Sequence, residues 1–387
     1  MNAGPAPIDA RVFDRIDAVP SSQWDALHDG RDPFVRHAFL QALETSGSLR
    51  AEWGWQPRHL GLWQRGTLVA AAPMYLKNNS HGEFVFDHAW ARAYDAHGLD
   101  YYPKWLCAVP YSPVTGPRLL ATEPALQRRL RDEMTRLATA QALSSVHVNF
   151  HRAEEEPAFD DDAWLLREDV QYHWRNAGGW RDFDDFLAAM DHRHRKKIRQ
   201  ERRKVREAGI GFRCVHGGDA STADLDAMHG FYLRTFAEYG NSPALTRAFF
   251  GELAERMPEA LLMVFALWQD APIAGAMFLR GGDTLHGRYW GAAAQVPGLH
   301  FETCYYQGIE YCLRHGIARF EPGAQGEHKI ARGFLPETVR SRHWIADGRF
   351  RAALRDWCAE EREAVRRYAM RLQDRSPFRE TTAQAAA

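Results

Sequence analysis

Apolar positions along this chain recur at two spacings, and their alternation predicts the elements. Over Pro124–Ala142 they return every third or fourth residue, which predicts an amphipathic helix. Phe34–Glu44 has the same spacing, and Ser21-Ser22-Gln23-Trp24-Asp25 carries a helix-start signal. His59–Trp63 and Leu68–Leu76 read as two strands joined by the turn Gln64-Arg65-Gly66-Thr67. Glu83–Phe86, Trp105–Val109, Ser145–Phe150 and Asp169–Arg175 read as further strands, with Ala89–His97 short and aromatic between them. Glu154–Asp162 is acidic and reads as a surface loop.

A second unit begins near Gly178-Gly179-Trp180. Helices are predicted at Phe183–Met190, His192–Glu207, Thr222–Tyr239, Thr246–Arg256 and Glu302–Arg314. Leu261–Trp268, Ile273–Arg280 and Thr284–Ala293 form a strand meander, with turns at Asp270-Ala271-Pro272 and Gly281-Gly282-Asp283. Phe320 lies on a further strand, Val339–Ala346 on a late one, and Phe350–Leu372 is a long amphipathic helix. Both halves run helix, helix, antiparallel strands, helix, strand. The expectation is two related α/β units, 1–177 and 178–375, with 376–387 a disordered tail.

Composition narrows the class. The chain is 45% apolar and 26% charged over 387 residues, as in a globular protein with ample material for two cores. Its formal net charge of -1 gives no global pull toward nucleic acid or anionic membrane. The longest apolar candidate, Leu60–Leu76, is interrupted by Gln64-Arg65-Gly66, so no transmembrane segment is expected. The N-terminus lacks the pattern of a secretion signal, and five scattered cysteines show no CxxC spacing. A cytoplasmic protein with reduced cysteines and no metal site is the expectation.

The chemistry concentrates at His300–Phe334. Apolar residues there run into a Gly-rich loop holding carboxylates, an imidazole, an amine and a guanidinium. Glu302, Glu321 and Glu327 are candidate bases if burial raises their pKa. His300 is a candidate general base, and His328, Lys329 and Arg332 are candidate oxyanion donors or anion clamps, joined by Arg288. Tyr111, Tyr289, Trp290 and Tyr305 are candidates to line a cleft, although plain core packing is the commoner fate of such aromatics. Asp87 and Tyr94 belong to a polar patch with His88, Arg92 and Asp95. The segment Arg193–Arg206, including Lys196 and Arg199, has nine Lys or Arg and one Glu. Its self-repulsion calls for acidic neighbours or phosphate.

Several blocks carry a family resemblance. They are Phe86-Asp87-His88-Ala89-Trp90-Ala91-Arg92-Ala93-Tyr94, Tyr101-Tyr102-Pro103-Lys104-Trp105-Leu106, Ala108-Val109-Pro110-Tyr111-Ser112-Pro113-Val114-Thr115-Gly116-Pro117-Arg118-Leu119-Leu120, Gly287-Arg288-Tyr289-Trp290-Gly291 and the His300–Phe334 stretch. Together they resemble the FemAB-like group of the GNAT N-acyltransferase superfamily, over roughly Asp32 to Arg355. The resemblance implies an α/β (α+β) fold with two tandem GNAT-like acyltransferase domains, each a mixed, mostly antiparallel sheet flanked by helices. It implies an N-acyltransferase that moves an acyl or aminoacyl group to an amine, with a small-molecule or cell-wall peptide acceptor. Fem ligases, similar at greater distance, take their amino acid from aminoacyl-tRNA. Their second domain opens on a basic helix that holds phosphorylated ligands, and Arg193–Arg206 is similar to it.

No tightly bound cofactor is implied; acyl-CoA or aminoacyl-tRNA would be the co-substrate. For CoA, a pyrophosphate-binding turn is partly matched by Gln295-Val296-Pro297-Gly298-Leu299-His300, where Gln295 and Gly298 fit. Pro297 removes one donor there, and His300 stands where a small residue is wanted. The rival readings are a CoA-dependent N-acetyltransferase and a non-catalytic protein that recognises cell-wall fragments or RNA.

Overall fold

Pro73 cuts the apolar run Leu68–Leu76, predicted as one strand, into two strands that serve different sheets. Proline has no N–H to continue a ladder. In the computed structural model, which describes residues 6–324 and 326–379, contacts divide the chain into two units. The first is Met1–Asp169 with Thr338–Arg366; the second is Val170–Glu337 with Arg367–Ala387. The expected boundaries were contiguous, whereas the chain returns to its first unit late.

In the first unit β1 (Ile8–Phe13) pairs antiparallel with β3 (His59–Gln64), which pairs with β4 (Thr67–Ala72). A second sheet runs β2 (Gln56–Pro57), β5 (Met74–Lys77), β6 (Lys104–Cys107), β7 (Ser145–Asn149), then the late strand β14 (Leu335–Ile345) and β8 (Trp164–Arg175). Only the β6–β7 step among the first four is parallel. Every residue of β7 is buried, as a strand covered on both faces must be. Around these strands lie α1 (Ser21–Asp25), α2 (His37–Thr45), α3 (His88–Ala96), α4 (Pro124–Ala140) and the start of the late helix α11 (Gly348–Gln373). Leu130, Met134 and Ala138 of α4 pack with Trp105, Val146 and Val148 in the main core.

The predicted strand Glu83–Phe86 does not form. The segment is a loop into α3, with Phe84 in the left-handed region at φ 61.

The second unit holds the last residues of β8, then α5 (Phe183–Ala189), α6 (His192–Glu207), β9 (Ile210–His216), α7 (Thr222–Glu238), α8 (Arg247–Arg256), β10 (Leu261–Trp268), β11 (Ala271–Gly281) and β12 (Thr284–Ala292). After them come α9 (Leu299–Phe301), a π-helical turn (Glu302–Tyr306), α10 (Gln307–Arg314) and β13 (Arg319–Glu321). Its sheet order is β8-β13-β12-β11-β10-β9, antiparallel except for β12–β13. Helix α7 lies directly on β12. A Cβ on Gly291 would come within 1.9 Å of the Phe231 carbonyl oxygen, so glycine there permits the backbone approach.

The helix predicted over Glu302–Arg314 is continuous in course but opens with the π turn, a feature common at functional sites. Of the expected disordered tail, Ser376–Arg379 is ordered: Phe378 bridges to Met190 and stacks on Trp180 at 5.3 Å. The rest of that tail, 380–387, lies outside the described residues. Among the described residues no helix is long and apolar enough to cross a membrane.

Candidate functional site

Helix α6 forms as predicted because its start is capped and its few apolar residues share one face. The Asp191 side chain accepts the His194 backbone N–H at 2.8 Å, and only Ile198 and Val205 are buried. The cationic face borders an open groove of about 1130 Å³. Arg195, Lys196, Arg199, Arg203 and Arg206 line it, the last four spaced about one helical turn apart, with Ile210–Phe212 of β9 alongside. Their acidic partners are few and solvated: Arg199 meets Asp184 at 3.5 Å and Arg203 meets Glu207 at 3.6 Å. Exposed pairs of this kind contribute little, so the field of the stripe stays directed at the groove.

Two neighbouring residues of α6 fix it to the π turn. Arg202 donates Nε and Nη2 to the two oxygens of Glu302 at 3.1 and 3.0 Å, and Nη1 to Glu310 at 2.7 Å. Glu201 accepts Arg332 Nη2 at 2.7 Å and the Tyr306 hydroxyl. Glu302 is 3% exposed and also accepts Gln307 Nε2 at 2.8 Å. Burial raises its carboxyl above the ordinary range, with Arg202 opposing the rise. Glu302, Gln307 and Glu310 line the groove too, so one cavity holds a row of cations and a carboxylate pair.

One residue of the partial pyrophosphate turn, Gly298, packs on the same helix. Gly298 has φ 90, and a Cβ there would lie 3.3 Å from the Glu201 carbonyl oxygen. The glycine lets α6 pack close, which leaves less room for a ligand at that face. Gln295 is exposed on the loop before it.

A second set of predicted residues converges beyond the π turn. The His300 ring lies 5.2 Å from both Trp290 and Tyr305, and 6.4 Å from His328. Tyr305 Oη is 3.0 Å from His328 Nε2. Lys329 is 3% exposed and donates Nζ to the Gly323 carbonyl at 2.7 Å. Burial pushes its pKa down to about 7. Burial, with the charges of His328, Lys329 and Arg332, pushes His300 down to about 4, so its imidazole is neutral at physiological pH. Arg332 stacks with its guanidinium carbon 3.4 Å from the Phe301 ring centre.

Other candidates lie apart from this cluster. Glu321 is buried at the end of β13, 3.2 Å from His286 Nδ1 and paired with Arg319. Burial opposes its ionisation, but His173, His286 and Arg319 together outweigh that and hold it well below the ordinary range. Such a carboxylate is a weak base. Glu327 is exposed and engaged by Arg375 and by the Tyr368 hydroxyl at 2.7 Å. Arg288 is the extra residue of a bulge between β11 and β12, with its guanidinium 5.4 Å from the Tyr289 ring. Tyr289 meets Tyr232 edge-on at 4.9 Å.

Three candidates belong to the first unit. Tyr111 donates to the Ser48 carbonyl at 3.2 Å, and Tyr94 packs on Phe350 at 4.2 Å. Asp87 accepts the Tyr101 hydroxyl at 2.6 Å and pairs with Lys104. This Asp87 centre also includes residues that no sequence signal marked. Lys104 donates to Ser80 and Glu83, each at 2.9 Å, and Lys77 lies 3.9 Å from Glu83. Buried ion pairs of strand lysines leave no periodic trace, and Lys104 stands in the sequence only within the resemblance block Tyr101-Tyr102-Pro103-Lys104-Trp105-Leu106. Glu83, Asp87 and His147 each bring one potential metal-ligand atom within 4.8 Å of the others. The Lys104 ammonium already stands between the two carboxylates and supplies the cation they need.

A family model described as FemAB-like, peptidoglycan biosynthesis/recognition, matches residues 15–380. No curated protein matches the chain. Among solved structures, FemX superposes with a TM-score of 0.52 at 10% identity, covering 87% of this chain and 98% of FemX. L-PGS from Bacillus licheniformis superposes with a TM-score of 0.50 at 7% identity, covering 90% of this chain and 98% of that one. At these identities the likeness is one of fold.

Proposed function

The chain belongs to the FemAB-like family, and on that premise we propose that it transfers an acyl or aminoacyl group from a phosphate-bearing donor to an amine, with a cell-wall peptide precursor as acceptor. The observation that carries this reading is the groove: a basic stripe along α6 shares it with the carboxylates of Glu302 and Glu310, which Arg202 of the same helix holds. Phosphates of the donor lie along Arg195, Lys196, Arg199, Arg203 and Arg206. Pro297 removes one backbone donor from the turn that would cradle a pyrophosphate, and His300 stands where a small residue is wanted, which favours an aminoacyl-tRNA end over CoA.

Amide formation needs a neutral amine and a place for the charge of the tetrahedral oxyanion. Glu302 accepts a proton from the incoming ammonium once its ion pair is relaxed; His300, held down to about 4, is too weak a base for that step and stays neutral beside it. Lys329, His328 and Tyr305 are the donors nearest that centre and stabilise the oxyanion. The carbonyl carbon gains a bond to nitrogen, and the ester or thioester oxygen or sulfur leaves with its electron pair and takes up a proton. Glu321 and Glu327 have no part in the step.

A thermal-shift panel with acetyl-CoA, charged tRNA and cell-wall peptide precursor tests the proposal, since a ligand of the native state raises the midpoint by mass action. Stabilisation by charged tRNA or precursor is the expected result. Stabilisation by acetyl-CoA alone would replace the donor, and silence from all three would overturn the reading.

A further inference from the structure

Arg202 differs from the other groove cations. Its guanidinium has three donors committed to two carboxylates, Glu302 and Glu310, yet its side chain is 25% exposed to the groove and lies 4.3 Å from the Phe183 ring centre. It is therefore positioned both to hold Glu302 and to meet a groove ligand. A phosphate or sulfate group offers the same bidentate geometry as a carboxylate.

Resting on the groove reading above, we infer that Arg202 is a positioning residue that couples the two parts of the site: an anionic ligand in the groove draws its guanidinium from Glu310 and Glu302, and Glu302 is freed to take a proton. The groups facing Glu302 support the exchange. From α6 it meets Arg202; from α10 it meets Gln307 at 2.8 Å and, more remotely, the like-charged Glu310. With Arg202 withdrawn, Gln307 is the sole remaining donor of these, and a carboxylate this buried cannot stay charged cheaply. It then takes up one proton, from the acceptor ammonium where that is bound beside it and from solvent where the anionic ligand is bound alone. In the empty groove Arg202 keeps it ionised and blocked, so the base becomes available when the donor is in place.

The exchange can be read without knowing the substrate. Inositol hexasulfate carries no titrating proton near neutral pH, and its binding heat can be measured by calorimetry in buffers of different ionisation enthalpy. The expected result is uptake of about one proton per bound ligand in the native protein. Glu302→Gln should bind with that uptake lost, because the basic stripe is intact. Arg202→Gln should also bind without uptake, because its Glu302 is already unpaired. Binding with no proton uptake, or uptake that persists in Glu302→Gln, overturns the inference and leaves the groove reading standing. Absence of binding removes the groove reading and this inference with it.

Discussion

Lys77 and Lys104 stand directly opposite each other in register on β5 and β6, and both ammonium groups are sealed from solvent. Like charges facing across strands repel, and burial removes the water that would soften the repulsion. Glu83 answers both, at 3.9 Å from Lys77 and 2.9 Å from Lys104, and Asp87 adds a second carboxylate to Lys104. Burial opposes both the charge on Lys104 and that on Asp87, yet their pairing raises the lysine and holds the aspartate at about 2.

Lys104 is thus the cation on which two buried carboxylates depend. Lys104→Met removes it while keeping most of the volume. Breaking one partner out of a buried ion pair costs about 3–5 kcal/mol. Urea denaturation should show a loss of that order at neutral pH. A loss below about 1 kcal/mol would mean that the carboxylates find another partner or a proton with ease. The conservative Glu83→Gln, which leaves Asp87 on Lys104, should cost less than Lys104→Met.

Much of this architecture was legible along the chain, for identifiable reasons. The basic helix was found with the observed limits because Asp191 precedes it and Gly209 follows it. The meander β10–β12 was legible because its strands are apolar and its turns are polar. The π turn was not, since its residues have ordinary helical character. Strand β1 was missed because it is half-exposed, with Asp9 and Arg11 facing out. Of the candidate site, His300, Tyr305, His328, Lys329 and Arg332 do meet in space. Glu321 was marked by its place at a strand end, a signal that cannot tell an available base from a carboxylate already ringed by His173, His286 and Arg319. Arg202 was read as one of nine equivalent cations, because its pairing to Glu302 spans a hundred residues.

Gly298 carries a constraint that a substitution exposes. Its φ of 90 disfavours any side chain, and the Glu201 carbonyl oxygen lies 3.3 Å from where a Cβ would stand. Gly298→Ala should destabilise the protein by about 1–3 kcal/mol through backbone strain. It should also weaken polyanion binding, because α6 must move from the π turn to make room. Thermal unfolding and an inositol hexasulfate titration measure both. A stability loss with unchanged binding would separate the turn from the groove.

The double variant Arg199→Gln with Arg203→Gln addresses the groove itself. Both side chains are exposed, and their pairs with Asp184 and Glu207 are surface pairs, so stability should change by less than about 1 kcal/mol. If each arginine meets a phosphate, affinity for tRNA should fall. The slope of log affinity against log salt should also become shallower by about 2. Titrations at several salt concentrations give the slope, and an unchanged slope would remove these two residues from the interface.

Stability should climb with pH in two separate windows. Burial lowers His300 and His173 to about 4, against an ordinary histidine value near 6.5. Between those values the unfolded chain binds more protons than the folded one, so stability rises with pH from about 4 to 6.5 and is lost on acidification. Lys77 and Lys329 repeat the argument higher, since burial brings each to about 7 from an ordinary lysine value of 10.5. From about 7 to 10.5 the unfolded lysines stay protonated while the folded ones release their protons, so stability rises again with the same sign. Lys329→Met removes one of these groups. Denaturation midpoints measured across pH 7 to 10 should climb less steeply in that variant than in the native protein. The variant should match or exceed native stability at pH 7, where the native fold still bears part of the cost of a buried charge, and it should lose transfer activity with its oxyanion donor. An identical slope in the two proteins would show that the Lys329 amine is well solvated in the folded state.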